Sequence, residues 1–257
     1  MTLPTMKISE KVAVITFNNP PANALSSKVL MDLKSKFESI QHNDEVRAVV
    51  LHGEGRFFSA GADIKEFTSF QTDEGFESLA KEGHGVFTLI ETFNKPVIAA
   101  IHGAALGGGL ELSLSCHIRV ATEHAKIGLP ELQLGIIPGY GGTQRLPRTV
   151  GRAHALEMIL SSEPITGKKA LAIGLVNHLF EEDSLLDDAI QLAKKFTNKS
   201  PRSVTDVLYL TQKAVTEELE EGLQEEAKAF SEIFNTEDAK EGIQAFIEKR
   251  QPHFKGN

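Results

Sequence analysis

The hydrophobic pattern of this chain predicts an α/β fold with a helical C-terminal part. Between residues 11 and 101, short β-branched runs alternate with apolar residues at helical spacing. Beyond residue 142 the spacing becomes almost wholly helical. The length of 257 residues is enough to bury a full core, and no boundary demands two independently folding domains.

Each element follows from its residues. Lys11 to Asn18 carries Val12, Val14 and Ile15 and reads as a strand, which Asn19-Pro20-Pro21 stops because proline donates no ladder hydrogen bond. Val29, Leu30, Leu33, Phe37 and Ile40 recur at helical spacing, with Ser26 or Ser27 as the cap. Val46 to His52 is a buried strand, and Gly53 to Asp63 is a loop of small residues that lets a ligand approach backbone closely. The polar stretch 66–75, with Phe67, Phe70 and Phe76 in or beside it, reads as a mobile segment flanking a pocket. Phe87, Leu89, Ile90 and Phe93 mark a helix ended by Lys95-Pro96, because a residue before proline is pushed out of helical geometry. Val97 to Ile101 is a further buried strand.

After Gly142 helices are predicted at Arg152 to Leu160, Thr166 to Ile173, Ser184 to Phe196, and Pro201 to Val215, the last with Ser200 as cap. Glu217 to Phe234 sets many carboxylates around Leu219, Leu223, Ala227, Phe230 and Ile233, a solvated face beside an apolar one. Thr236 caps a final helix, followed by a basic, aromatic tail from Phe246 to Lys255.

Composition narrows the function. Lys plus Arg 27 against Asp plus Glu 35 gives a net charge of -8, which disfavours nucleic acid and acidic membranes as partners. The single Cys116 forms no internal disulfide and fits a packed thiol in a reducing compartment. The N-terminal stretch lacks a secretory pattern, and the apolar tract Pro96 to Leu110 is too short for a bilayer, so a soluble cytoplasmic protein without a membrane partner is expected.

The informative stretch is Lys95 to Gly142. It holds a buried strand, the turn Gly107-Gly108-Gly109, Glu111 in the first turn of the next helix, and Glu131 among apolar neighbours. A helix start stabilises anionic charge through its free N–H groups, and such an amide can also face a developing oxyanion. Burial would raise the pKa of Glu131, and two carboxyls whose pKa values are pushed apart supply an acid and a base. Other chemistries lose ground. Gly139-Tyr140-Gly141-Gly142-Thr143-Gln144 lacks the last glycine of a dinucleotide motif, and no phosphate-loop ending occurs. The nine histidines form no metal-ligand pattern and no serine-hydrolase elbow is present, so no metal is expected.

Four motifs then resemble one family. Ser59-Ala60-Gly61-Ala62-Asp63-Ile64-Lys65, Ala105 to Leu112, Leu129-Pro130-Glu131, and Ile137 to Leu146 are similar to those of the enoyl-coenzyme A hydratase (crotonase) family, in the same order and across nearly the whole chain. The resemblance implies a right-handed spiral of β-β-α turns with a helical C-terminal region. It divides the chain into a spiral core carrying the active site, residues 1–195, and a helical oligomerisation region, residues 196–257. It implies an oxyanion hole from the amides of Ala62 and Gly108, catalytic roles for Glu111 (mainly base) and Glu131 (mainly acid), and substrate contacts from Ala60, Ala62, Asp63, Ile64, Lys65, Gly108 and Gly139. The substrate implied is an acyl-coenzyme A thioester, 2-trans-enoyl-coenzyme A, hydrated as in fatty acid β-oxidation. Coenzyme A is then part of the substrate and no cofactor is implied. Trimers, usually paired as hexamers, are implied too, with the C-terminal tail reaching coenzyme A, sometimes across a subunit boundary.

Two rivals share the family. An enoyl-coenzyme A isomerase commonly keeps one of the two glutamates, and an RNA-binding member would want basic helices that this acidic chain lacks. Two positions depart from the usual pattern. His117 stands where aspartate is common and is expected to change local hydrogen bonding, and Tyr140 stands where a small residue is frequent and is expected to narrow or line the acyl pocket.

Overall fold

The computed structural model describes residues 2–67 and 73–257. Residues 68–72 of the segment expected to flank a pocket, including Phe70, therefore lie outside the described residues. In chain order the strands are β1 (Thr5–Ser9), β2 (Val12–Phe17), β3 (Ala48–Gly53), β4 (Val97–Ile101), β5 (Ala104–Leu106), β6 (Ile118–Ala121), β7 (Lys126–Gly128), β8 (Ile165–Thr166) and β9 (His178–Leu179). The helices of the first half are α1 (Ser27–Gln41), α2 (Ile64–Phe67), α3 (Asp73–Glu91) and α4 (Gly108–Ser115), with a 3₁₀ turn at Glu131–Leu134. Those of the second half are α5 (Gly142–Ser161), α6 (Gly167–Ala172), α7 (Leu185–Thr197), α8 (Pro201–Lys213), α9 (Leu219–Phe234) and α10 (Glu237–Glu248).

The main sheet runs β1-β2-β3-β4-β6-β9, and β1 is its one antiparallel member among the described residues. A smaller sheet, β5-β7-β8, lies inside it. The chain coils between the two layers. Each turn gives one strand to the main sheet, one short extended piece to the inner layer, and then a helix: β4, β5, α4 is one turn, and β6, β7 leads to the 3₁₀ turn and α5. Earlier turns use isolated bridges in place of an inner strand, Leu25 with Ala62 and Ser59 with Ala105. This is the spiral of β-β-α units that the resemblance implied.

Strand alternation explains why the main sheet is covered on both sides. In β3 and β4, Val49, Leu51, Val97, Ala99 and Ile101 face the core shared with α1, α3 and α4, whereas Ala48, Val50, Ile98 and Ala100 face α7 through Leu185, Ala189 and Ala193. Both strands therefore read as continuous apolar runs.

Most predicted elements stand within a few residues of their expected ends, and the differences have causes. Ser26 caps α1, its side chain accepting from the Val29 amide at 3.3 Å. Helix α3 stops at Glu91, short of Lys95-Pro96, because Phe93 turns inward and meets Phe37 edge-on at 4.9 Å. The helix expected from Arg152 starts at Gly142 and bends at Gly151, whose φ of 77° breaks the spacing. The division expected at 195/196 falls in the last turn of α7. Beyond it the chain sheds its core: among the described residues α8 and α9 bury no side chain, while Val207, Phe230 and Phe246 are 58%, 65% and 85% exposed. No helix among the described residues is long and apolar enough to cross a membrane.

Candidate active site

The inner layer assembles the site by register. Ser59 and Ala105 form a parallel bridge, with Ser59 N–H donating to Ala104 O at 3.1 Å and Leu106 N–H to Ser59 O at 3.1 Å. Residues equally far beyond it are brought side by side, and these are Ala62 and Gly108. On the other side of Ala62, Leu25 N–H donates to Gly61 O and Asp63 N–H to Leu25 O, at 2.8 and 3.0 Å. In a parallel bridge of this kind the middle residue's own amide points away from its partner. Ala62 N accordingly lies 3.1 Å from where a Cβ on Gly108 would stand. Among the described residues neither the Ala62 nor the Gly108 amide has a backbone acceptor. These are two adjacent, uncommitted donors.

A second register step brings in the carboxylates. Strands β5 and β7 are parallel with Leu106 opposite Gly128, so the residues that follow each strand emerge at the same end. From β5 the chain enters α4 and reaches Glu111. From β7 it passes Leu129-Pro130 to Glu131. Twenty residues apart in sequence, the two side chains thus leave neighbouring strand ends.

Glu111 is 2% exposed. Its Oε1 accepts from Tyr140 N at 2.8 Å and Gly142 N at 2.7 Å. Gly142 opens α5, so this amide is one of those an α-helix leaves without an intrahelical acceptor. Glu111 therefore sits in the first turn of α4 while capping α5, and both helix ends favour its anion. Burial outweighs them and pushes its pKa up to about 7, with the Glu131 charge adding to the rise.

Glu131 is half-buried at the start of its 3₁₀ turn, and burial raises its pKa as well. Its Oε1 lies 2.9 Å from where a Cβ on Gly107 would stand, so a side chain there would displace the carboxyl, and the φ of +51° favours glycine besides. Its Oε2 is buried without a hydrogen-bond partner among the described residues. The two carboxyls differ in kind. Glu111 is bound through fixed amides, and Glu131 presents an oxygen free to carry or give up a proton.

The remaining predicted positions surround this pair. Ala60 is exposed and its amide bonds Ala22 O at 2.9 Å; Asp63 Oδ1 accepts from Lys65 N at 3.1 Å; Ile64 and Lys65 begin α2 on the surface. Gly139 is exposed, with open space where a side chain would be. His117 is a half-buried acceptor for the Val97 amide at 2.9 Å, held neutral by desolvation with its pKa near 4. Cys116 is packed, and burial pushes its thiol up to about 12.

Sequence reasoning missed the brace behind Glu111. Arg145 Nη1 donates to Tyr140 O at 3.0 Å, and Arg145 Nε and Nη2 donate to Glu91 Oε2 at 3.0 and 2.8 Å. The ion pair ties α3 to the turn whose amides hold Glu111. No local pattern announces it, because Glu91 and Arg145 are distant in sequence. The donor roles of the Tyr140 and Gly142 amides are equally invisible there, although Gly141-Gly142 before a helix hints at a tight entry.

Comparison with known proteins identifies the family. The family model described as enoyl-CoA hydratase/isomerase matches residues 7–257. The chain is 55% identical over 253 residues to a probable enoyl-CoA hydratase of Bacillus subtilis (strain 168), covering 98% of each chain. It is 43% identical to the short-chain-enoyl-CoA hydratase of Clostridium acetobutylicum, covering 94% of this chain and 93% of that one. Among solved structures, the enoyl-CoA hydratase from Bacillus anthracis superposes with a TM-score of 0.94 at 37% identity, covering 99% of both chains. With a family match over almost its whole length, relatives of this identity, and two carboxylates set beside paired amides on the inner layer, the chain belongs to the enoyl-CoA hydratase/isomerase family.

Proposed function

We propose that the protein is an enoyl-CoA hydratase, adding water reversibly and syn across the double bond of a 2-trans-enoyl-CoA to give the 3-hydroxyacyl-CoA. The observation that carries this reading is the meeting of Glu111 and Glu131 beside the uncommitted amides of Ala62 and Gly108. The thioester oxygen accepts from the two amides, where negative charge grows as water attacks C3. Glu111, held by the Tyr140 and Gly142 amides, orients the water and takes its proton. Glu131 delivers a proton to C2, closing the balance: one C–O and one C–H bond form, and the C2–C3 π bond is lost. Burial raises both carboxyls, and geometry divides their roles: the two amides on Glu111 Oε1 fix it toward the water, and the unpartnered Oε2 of Glu131 is the one open to hold the proton that goes to C2. In the reverse direction each group takes the other role.

Ala60, Asp63, Ile64 and Lys65 form the exposed rim along which the coenzyme A portion runs, and Gly139 leaves backbone open beside the water. Coenzyme A enters as part of the substrate, and the addition needs neither electron transfer nor a metal. An isomerase would shift the double bond with one carboxyl carrying the proton, so the presence of both favours hydration. The net charge of -8 weighs against the RNA-binding alternative.

The 196–257 region is assigned to homo-oligomerisation, as trimers or dimers of trimers. Its large exposed apolar side chains support this, as does a cavity of about 990 Å³ between α8 and the α3 and α5 side, lined by Leu114, Phe196, Val207 and Val215 and containing neither carboxylate. A cytoplasmic location fits the acidic, single-cysteine composition.

The test is loss of enone absorbance from crotonyl-CoA with formation of the 3-hydroxy product. If crotonyl-CoA and longer enoyl thioesters all survive incubation, the hydratase reading fails.

A further inference from the structure

Tyr140 places a buried aromatic ring at the heart of this site. It is 4% exposed and wedged between two helices. Its Cδ1 and Cε1 lie 2.3 and 2.5 Å from where a Cβ on Gly83 of α3 would stand, and its Cδ2 and Cε2 lie 3.3 and 3.5 Å from the corresponding place on Gly108 of α4. Phe87, one turn along α3 from Gly83, meets the ring edge-on at 5.6 Å. The same residue's amide holds Glu111. The ring is thus fixed at both ends, one edge against the proposed oxyanion glycine and the other filling a notch that only glycine leaves in α3.

This placement bears on what can extend beyond the reacting carbons. On the hydratase reading the thioester oxygen sits on the Ala62 and Gly108 amides and C3 lies beside Glu111, so the acyl group starts at Gly108, and the Tyr140 ring stands 3.3–3.5 Å from the Cβ position of that residue. The same ring occupies the seam between α3 and α4. We infer that Tyr140 is a specificity-determining residue whose ring closes the acyl channel between α3 and α4, so that the enzyme takes short, crotonyl-sized acyl groups and excludes medium and long chains. The inference rests on the hydratase reading of the site and names its substrate class.

The experiment compares kcat/KM for 2-trans-enoyl-CoA of four, six, eight and ten carbons in the wild type, Tyr140→Phe and Tyr140→Ala. Each methylene that gains an apolar berth favours binding by about fourfold. Opening the seam should therefore raise the ratio of eight-carbon to four-carbon efficiency by about two- to three-hundredfold in Tyr140→Ala, fourfold for each of the four added methylenes. Tyr140→Phe, which keeps the ring, should retain the wild-type ratio. An unchanged ratio in Tyr140→Ala overturns the inference, as does a wild type that handles eight carbons as well as four.

Should removal of the ring prevent folding, Tyr140→Leu supplies a milder opening. Affinities for saturated butyryl-CoA and octanoyl-CoA are then measured by calorimetry, without turnover. Preference for butyryl-CoA in the wild type that shifts toward octanoyl-CoA in the variant supports the channel stop, and equal preferences sink it. Because this arm reads binding alone, it decides the role of Tyr140 even where the wild type hydrates no thioester, the result that would sink the hydratase reading by itself.

Discussion

Replacing Glu111 by glutamine should make the protein more stable in mild alkali while nearly abolishing turnover. The carboxyl is buried, and its pKa rises from 4.5 to about 7 chiefly through desolvation. A folded value above the unfolded one means that the native state holds more protons between those limits. Stability is then full below pH 4.5 and falls as pH rises through about 7. At 1.36 kcal/mol per tenfold, the full cost of holding the buried anion is about 3 kcal/mol. Most of this, about 2–3 kcal/mol, accrues between pH 5 and pH 8.5. In Glu111→Gln the amide oxygen can still accept from the Tyr140 and Gly142 amides, and the charge is gone. The variant's gain over the wild type should therefore grow by about 2–3 kcal/mol between pH 5 and pH 8.5. Urea unfolding at matched protomer concentration measures it, since an oligomer's midpoint depends on concentration. In the same samples hydration of crotonyl-CoA should drop by about a hundredfold or more, the scale of a general base. A variant no more stable than the wild type at pH 8.5, or one with the same difference at both pH values, would refute the claim that Glu111 carries a desolvated charge.

Two further substitutions probe the surroundings. Gly108→Ala introduces a Cβ 3.1 Å from Ala62 N and 3.3 Å from the Tyr140 ring, so kcat for crotonyl-CoA should fall by about a hundredfold with the circular dichroism spectrum retained, the loss expected for a disabled oxyanion donor. Arg145→Met releases Tyr140 O and Glu91 without touching the carboxyls, so kcat should fall by about tenfold. Combined with Glu91→Gln, its effect should be less than additive, with a coupling of about 0.5–3 kcal/mol in a double-mutant cycle.

Much of this architecture can be read from residues, for reasons visible element by element. Val97 to Ile101 shows in the sequence because a strand covered on both faces is apolar throughout, and α1 because Ser26 and a 3.6-residue period act locally. The inner strands β5 and β7 do not show. They are three residues each, β5 set between Gly103 and Gly107, and they owe their conformation to each other. The same asymmetry holds at the site. Glu111 and Glu131 stand out as carboxyls in unusual company, but their meeting depends on Leu106 pairing with Gly128, a long-range fact. The Arg145–Glu91 brace is a contact between distant helices, and nothing in either neighbourhood encodes it.

The Ser59–Ala105 bridge also sets a rule for how such a chain can change length. Ala62 and Gly108 each lie three residues past the bridge, so the two arms act as a caliper with equal jaws. Residues added at the exposed Glu54-Gly55-Arg56 tip lengthen a loop and leave the jaws aligned. One residue added between Ser59 and Ala62, or between Ala105 and Gly108, offsets them and sets a different amide opposite its partner. Insertions and deletions in descendants of this chain are therefore free at 54–56 and forbidden a few residues on, with the buried Phe58 as the frontier.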